Sequence, residues 1–202
     1  MKFERLLIGY RRLRARLWWE QHWRDANFQP PWLRQAPQPF VLTGFEAGWL
    51  SPGMNALDIG CGAGHTAAWL AARGINVVAV DFARHMIAQA KSRFGDQPAL
   101  TFKVMDVCGP DLLNITFDVL IDAGCLHTIA SALRRQYLQN VLRWSRRGSR
   151  LVVTMHSRRK STQERLAELE ALFCPAFELV QYEEIPSFEA NRVNPVFHLI
   201  RT

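Results

Sequence analysis

The chain has 202 residues, 49% of them hydrophobic and 21% charged, enough apolar material for one well-filled core without disulfide or metal staples. Its formal charge of +7 and pI of about 9.7 admit nucleic acid, anionic lipid or anionic substrates as partners. No stretch is long and apolar enough to span a bilayer, and the first 24 residues lack the uncharged run of a secretory signal. Cys61, Cys108, Cys125 and Cys174 stand far apart with no C-x-x-C pair, which predicts reduced thiols in a cytoplasmic protein.

The charge excess is local. Residues 1–24 hold seven Lys/Arg against two Glu, so five of the seven surplus charges lie there. As a helix, this leader puts Leu6, Leu7, Tyr10, Leu13, Leu17 and Trp18 on roughly one face, predicting a lid docked through that face. A basic amphipathic helix also suits a membrane surface, a weaker reading here because the apolar face has a domain to cover. Prolines between Pro30 and Pro39 then mark a linker that cannot continue a helix. The expected division is a lid segment, 1–45, and one domain, 46–202.

From Asn55 onward strands and helices alternate. Ala56 to Ile59 reads as a strand, Thr66 to Arg73 as a helix closed by Gly74, and Asn76 to Val80 as a buried, β-branched strand. A helix from Ala83 to Phe94 follows, then strands at Leu100–Val104 and Phe117–Ile121. Ile129 to Trp144 is helical, with Ile129, Leu133, Tyr137, Leu138, Val141 and Leu142 in phase. Leu151 to Met155 is a strand and Thr162 to Phe173 a helix. The ending changes character: Phe177–Tyr182 and Val196–Ile200 are strands with no helix between them, hence an antiparallel pair. This order predicts a doubly wound, mostly parallel seven-stranded sheet with a closing antiparallel hairpin. Arginines at 143, 146, 147 and 150 sit where a helix ends and suit its dipole, while Arg158-Arg159-Lys160 reads as a solvated loop.

Between the first strand and helix lies Asp58-Ile59-Gly60-Cys61-Gly62-Ala63-Gly64-His65. A glycine turn opening a helix lets a ligand approach the backbone closely. A P-loop would need G-K-[ST], and a dinucleotide fingerprint counted from Gly60 would need glycine where His65 stands. The second strand ends in Asp81, and Met105-Asp106-Val107 follows the third, so three acidic positions fall at the carboxyl ends of three consecutive strands. Ligands of open α/β sheets bind at that edge.

The D-x-G-x-G-x-G spacing with these two aspartates resembles class I S-adenosylmethionine-dependent methyltransferases, over roughly residues 55–155 in motif detail. The resemblance implies a Rossmann-like methyltransferase fold with S-adenosylmethionine as cofactor and S-adenosylhomocysteine as product. It places Asp58, Gly60, Gly62 and Gly64 against the methionine part, with Cys61 a filler of the loop. It gives the ribose to Asp81, the face of the adenine to Phe82, and its edge to Asp106 and Val107. It adds Met86, Asp122, Ala123 and Gly124 to the cofactor set.

The fourth strand runs on into Asp122-Ala123-Gly124-Cys125-Leu126-His127. Amino-methylating enzymes acting on bases often carry [DN]-P-P-[YFW] here, and this chain has neither proline nor aromatic. The run F-D-V-x-x-D-x-G-C-L-H and Trp19-Glu20-Gln21-His22-Trp23-Arg24 instead resemble the small-molecule branch of thiopurine S-methyltransferase-like and tellurite-resistance proteins. Where that branch usually has K-P-G-G, this chain has Arg146-Arg147-Gly148-Ser149.

The resemblance implies methyl transfer to a small acceptor, most simply a thiol or other soft nucleophile that needs no strong base. An oxygen or amine acceptor would draw on His127 as general base, with Asp122 its companion at the reacting centre. His127 could equally cap the following helix. Trp19, Trp23 and Trp32 would form the lid over the acceptor, beside Cys125 and His127. Cys61, Cys108 and Cys125 each follow a strand end, but none is spaced as a metal ligand, so no metal is expected. RNA or protein methylation and a non-catalytic binding module are the alternatives. No specific nucleic acid is expected, and the chain is read as a monomer or homodimer.

Overall fold

The computed structural model describes residues 2–25, 27–28, 30, 35–95, 97–155, 160–174, 176–187 and 193–202, without the side chains of 2–8. Seven strands form one sheet: β1 Asn55–Ile59, β2 Asn76–Asp81, β3 Leu100–Val104, β4 Phe117–Ala123, β5 Ser145–Thr154, β6 Phe177–Pro186 and β7 Val193–Arg201. Their order is β3-β2-β1-β4-β5-β7-β6. The first five pair in parallel, and β7 runs antiparallel to both β5 and β6. This is the expected doubly wound, mostly parallel sheet with its antiparallel ending. Because β1 pairs with β2 on one side and β4 on the other, the strand order reverses there and opens a crevice at the carboxyl edge.

The helices are α1 Lys2–Arg24, α2 Pro39–Glu46, α3 His65–Ala71, α4 Arg84–Phe94, α5 Ser131–Trp144 and α6 Thr162–Phe173. Alternation along the strands divides the core into two layers. Leu57, Ile59, Leu120 and Leu151 face Tyr137 and Trp144 of α5 and Phe173 of α6. Ala56, Val119, Ile121 and Val152 face Phe40 and Val41 of α2 and Leu70 of α3. Each of the large side chains is worth about 1.5–3 kcal/mol when fully buried. Within the 1–45 segment, α2 packs into this core, while Trp18, Trp19 and Trp23 of α1 and Ala36 and Gln38 border the crevice.

One correction concerns how α1 docks. Tyr10, Leu13, Leu17 and Trp18 are roughly half exposed, at 57, 54, 58 and 47%. The side chains of Leu6 and Leu7 lie outside the described residues. The helix attaches instead through polar groups, Arg12 on the opposite face and Glu20 at the edge of the stripe. Arg12 binds Asp106 (Nη2 to Oδ2, 2.6 Å), and Glu20 Oε1 accepts from the Arg84 N–H at the start of α4 (2.7 Å).

β5 begins at Ser145, six residues before the expected start, because the turn after α5 is tied to the sheet. Ser149 Oγ accepts from the Arg146 N–H and donates to the Phe117 carbonyl, and Gly148 takes the left-handed conformation (φ +84). Arg146 pairs with Asp118 and Arg150 lies over the Trp49 ring, so that basic patch is partly satisfied. Of the third patch, Arg158 and Arg159 lie outside the described residues, and Lys160 pairs with Glu168.

Candidate active site

The crevice holds a cavity of about 500 Å³, floored by the β1–α3 turn and the ends of β2 and β4 and walled by α1, α6 and β7. The size suits a small-molecule site.

The turn is built by its glycines. Gly60, Gly62 and Gly64 have φ of +70, +51 and +79, a region that L side chains rarely adopt. Each then has its own constraint. A Cβ on Gly60 would stand 2.8 Å from Cys125 Cβ, and one on Gly64 would stand 2.7 Å from the Phe102 ring. Gly62 meets nothing within 4 Å and leaves its backbone open to the cavity. The Gly60 and Cys61 N–H groups donate to the Val80 carbonyl, fixing the turn to the end of β2.

Three carboxylates lie under this turn. Asp81 accepts the Gly62 N–H on Oδ2 (3.0 Å) and the Ala83 N–H on Oδ1 (2.9 Å), and burial raises its pKa. Asp58 accepts the Ala67 N–H, while its Oδ2 is buried without a hydrogen-bond partner among the described residues. Burial first, and then the charges of Asp81 and Asp122, push Asp58 up to about 7. Burial lifts Asp122 to about 6, against the hydrogen bonds it accepts. A cavity floor of crowded carboxylates with an orphaned oxygen favours a cationic ligand, because a positive charge relieves both burial and mutual repulsion.

Asp122 does not line the cavity. Its carboxylate is fully buried and accepts from the Gly124, Cys125 and Leu126 N–H groups and from the Tyr137 hydroxyl (2.7 Å). These bonds hold the turn that carries Ala123, Gly124, Cys125 and His127 to the cavity wall. In the same way Asp106 is turned away. Arg12 occupies its Oδ2 and the Cys108 N–H its Oδ1, so Val107 and Met105 line the cavity while Asp106 does not. Met86 is 1% exposed within α4 and is also absent from the lining.

Phe82, Cys61, Trp19 and Trp23 line the cavity, the two indoles stacked at 5.8 Å between centroids. Trp32 lies outside the described residues. The thiols of Cys61 and Cys125 are held protonated by burial, and burial carries Cys108 up to about 12. Among the described residues no group of three His, Cys, Asp or Glu is placed to hold a metal ion.

Sequence reasoning missed the opposite wall: Thr154, Arg165, Ile185, Pro186 and Asn194. Arg165 is the chemically distinctive member, only 9% exposed and 3.3 Å from Glu168, which also takes Lys160 and Arg134. One signal was available. Arg165 is in phase with the buried Leu169 and Phe173, so an arginine stands at a core-facing position of α6.

Residues 56–148 match the family model described as a methyltransferase domain. That stretch carries the glycine turn and four of the five parallel strands.

The chain is 34% identical over 130 residues to the 2-heptyl-1-hydroxyquinolin-4(1H)-one methyltransferase of Mycobacteroides abscessus, covering 62% of this chain and 55% of that one. It spans about half the length of the curated relatives it matches. Among solved structures it resembles the 1,6-didemethyltoxoflavin-N1-methyltransferase of Burkholderia thailandensis, bound to that compound and S-adenosylhomocysteine. The TM-score is 0.69 at 23% identity, over 85% of this chain and 80% of that one. A TehB-like S-adenosylmethionine-dependent methyltransferase from Corynebacterium glutamicum gives a TM-score of 0.65 at 21% identity, over 82 and 89% of the two chains. At these identities the solved structures show the shared fold.

Proposed function

We propose that this protein methylates a small molecule at a thiol or other soft nucleophile, using S-adenosylmethionine. The observation that carries the reading is one cavity onto which the open Gly62 backbone, the Asp58 and Asp81 carboxylates and the His127 imidazole converge. Bound there, the cofactor supplies an activated methyl on a sulfonium together with its own leaving group.

The remaining work falls to the chain. Asp58 and Asp81 offer negative charge to the cationic methionine end and the ribose, and Phe82 with Val107 brackets the adenine. Trp19 and Trp23 exclude water, and the Cys125–Thr128 segment aligns the acceptor, a gain within about 7–11 kcal/mol for well-oriented reactants. Arg165 sits across the cavity as a counter-ion for an acceptor that is anionic or becomes so on losing a proton. The tellurite-resistance and thiopurine branch is supported by Trp19 and Trp23, which line the cavity at the W-x-x-x-W spacing.

A second reading is transfer to an acidic hydroxyl or an amine, favoured by His127 in the lining beside Gly124 and Cys125. The two separate in one experiment, an acceptor panel with labelled cofactor read as S-adenosylhomocysteine produced. His127→Ala is expected to leave thiol turnover within about twofold and slow oxygen or amine turnover about 100-fold. Equal losses on both would refute the base role, and no turnover with any acceptor would support a non-catalytic module.

A further inference from the structure

The face of α1 turned away from the cavity carries its own pattern. Tyr10, Leu13 and Leu17 recur at spacings of three and four, so they form one stripe along the helix, and all three are exposed. Arg11, Arg14, Arg16 and Arg24 are exposed beside that stripe. Glu20, the acidic residue among the described side chains of α1, stands at the edge of the stripe one heptad after Leu13, but it is half-buried and its carboxylate is taken up by the Arg84 N–H. The neighbouring α4 adds exposed Arg84, Lys91 and Arg93 and contains no Asp or Glu.

An exposed apolar stripe between cations matches an anionic bilayer surface, where the apolar side chains sink below the headgroups and the guanidinium groups meet phosphate. Two rival occupants fit less well. A second copy meeting this face about a two-fold axis would set arginine against arginine. Nucleic acid would use the arginines and leave Tyr10, Leu13 and Leu17 without a function.

The position of Trp18 ties the surface to the cavity. It is 47% exposed, stacks on His22 at 3.8 Å, and also lines the cavity. Indole side chains favour the boundary between water and hydrocarbon. A bilayer under α1 therefore borders the cavity mouth, so an acceptor dissolved in lipid reaches it without crossing water.

We propose that α1 is an interfacial helix that seats this protein on an anionic membrane surface with its cavity mouth at the lipid boundary. Binding is read by co-sedimentation, without turnover, so its failure is distinguishable from failure of the methyl-transfer reading. The test compares the 202-residue chain on vesicles of phosphatidylcholine alone and of phosphatidylcholine with phosphatidylglycerol. Binding is expected to the anionic vesicles, weakening as salt is raised. The pair Leu13→Ser and Leu17→Ser should reduce it at least about tenfold. The triple change Arg11→Gln, Arg14→Gln and Arg16→Gln should reduce it by about 100-fold, roughly fivefold per charge. S-Adenosylhomocysteine calorimetry checks that each variant keeps its fold, and the comparison between the two vesicle types stands without any variant.

No binding to anionic vesicles, or binding indifferent to Leu13 and Leu17 in folded variants, would overturn the proposal. A dimer in sedimentation velocity that the Leu13/Leu17 pair abolishes, without vesicle binding, would overturn it in favour of a second copy. RNA binding without vesicle binding would overturn it in favour of nucleic acid.

Discussion

The two sides of the cavity are built in different ways. On the cofactor side, a turn of five consecutive residues, Gly60 to Gly64, is held by backbone hydrogen bonds to β2 and by the single carboxylate of Asp81. Opposite it, Trp19 and Trp23, Thr154, Arg165 and Asn194 come from four elements spread over most of the chain. Backbone geometry tolerates little change, whereas side chains projected from rigid elements can be exchanged singly. The cofactor side is therefore where substitution should be most damaging, and the opposite wall is where specificity can be altered while the fold persists.

The largest effect should come from Asp81→Ala, which removes the proposed ribose acceptor and also frees the Gly62 and Ala83 N–H groups. Charged hydrogen bonds contribute about 1.5–3 kcal/mol each, so calorimetry should show cofactor affinity falling by at least about 100-fold. Unchanged affinity would break the comparison at its strongest point. Gly60→Ala comes next, combining a φ of +70 with a Cβ set 2.8 Å from Cys125 Cβ. A loss of about 2–3 kcal/mol of stability is expected in urea unfolding. Adding Cys125→Gly should recover part of it, because the collision is relieved and the backbone strain is not.

Arg165→Gln probes the other wall. It should raise the acceptor KM by about tenfold and leave cofactor affinity within about twofold, in keeping with one weakened charged contact. Equal damage to both would mean that the two sides are not independent.

The smallest effect is a pH dependence. Asp58 ionises at about 7 in the folded chain against an ordinary 3.8, so from about pH 4 upward the folded state holds a proton that the unfolded state has lost. Its contribution is fully present below about 4 and is lost as pH rises through about 7. A cationic cofactor prefers the ionised carboxylate, so affinity should climb between pH 6 and 8, with protons released on binding. Asp58→Asn should flatten that slope, and a slope that persists would place the titrating group elsewhere.

Asp122 and Asp106 are expected in the site because they stand at or just after strand ends, yet neither lines the cavity. Position in sequence does not say which way a short side chain turns. Asp122 is claimed by three N–H groups and Tyr137, Asp106 by Arg12, which is 94 residues away, and Met86 by the core beneath α4. The apolar stripe of α1 was legible as a stripe. That it faces outward follows from Arg12, Trp19 and Trp23 turning the opposite side of the helix toward Asp106 and the cavity.

The sequence by itself determined the sheet, its antiparallel ending and the glycine turn, because these rest on local rules: alternation along strands and glycine where φ is positive. Only the tertiary structure decided the opposite wall, the orientation of α1 and the partners of Asp122. Those depend on pairings across 15 to 94 residues, whose energies no local pattern records.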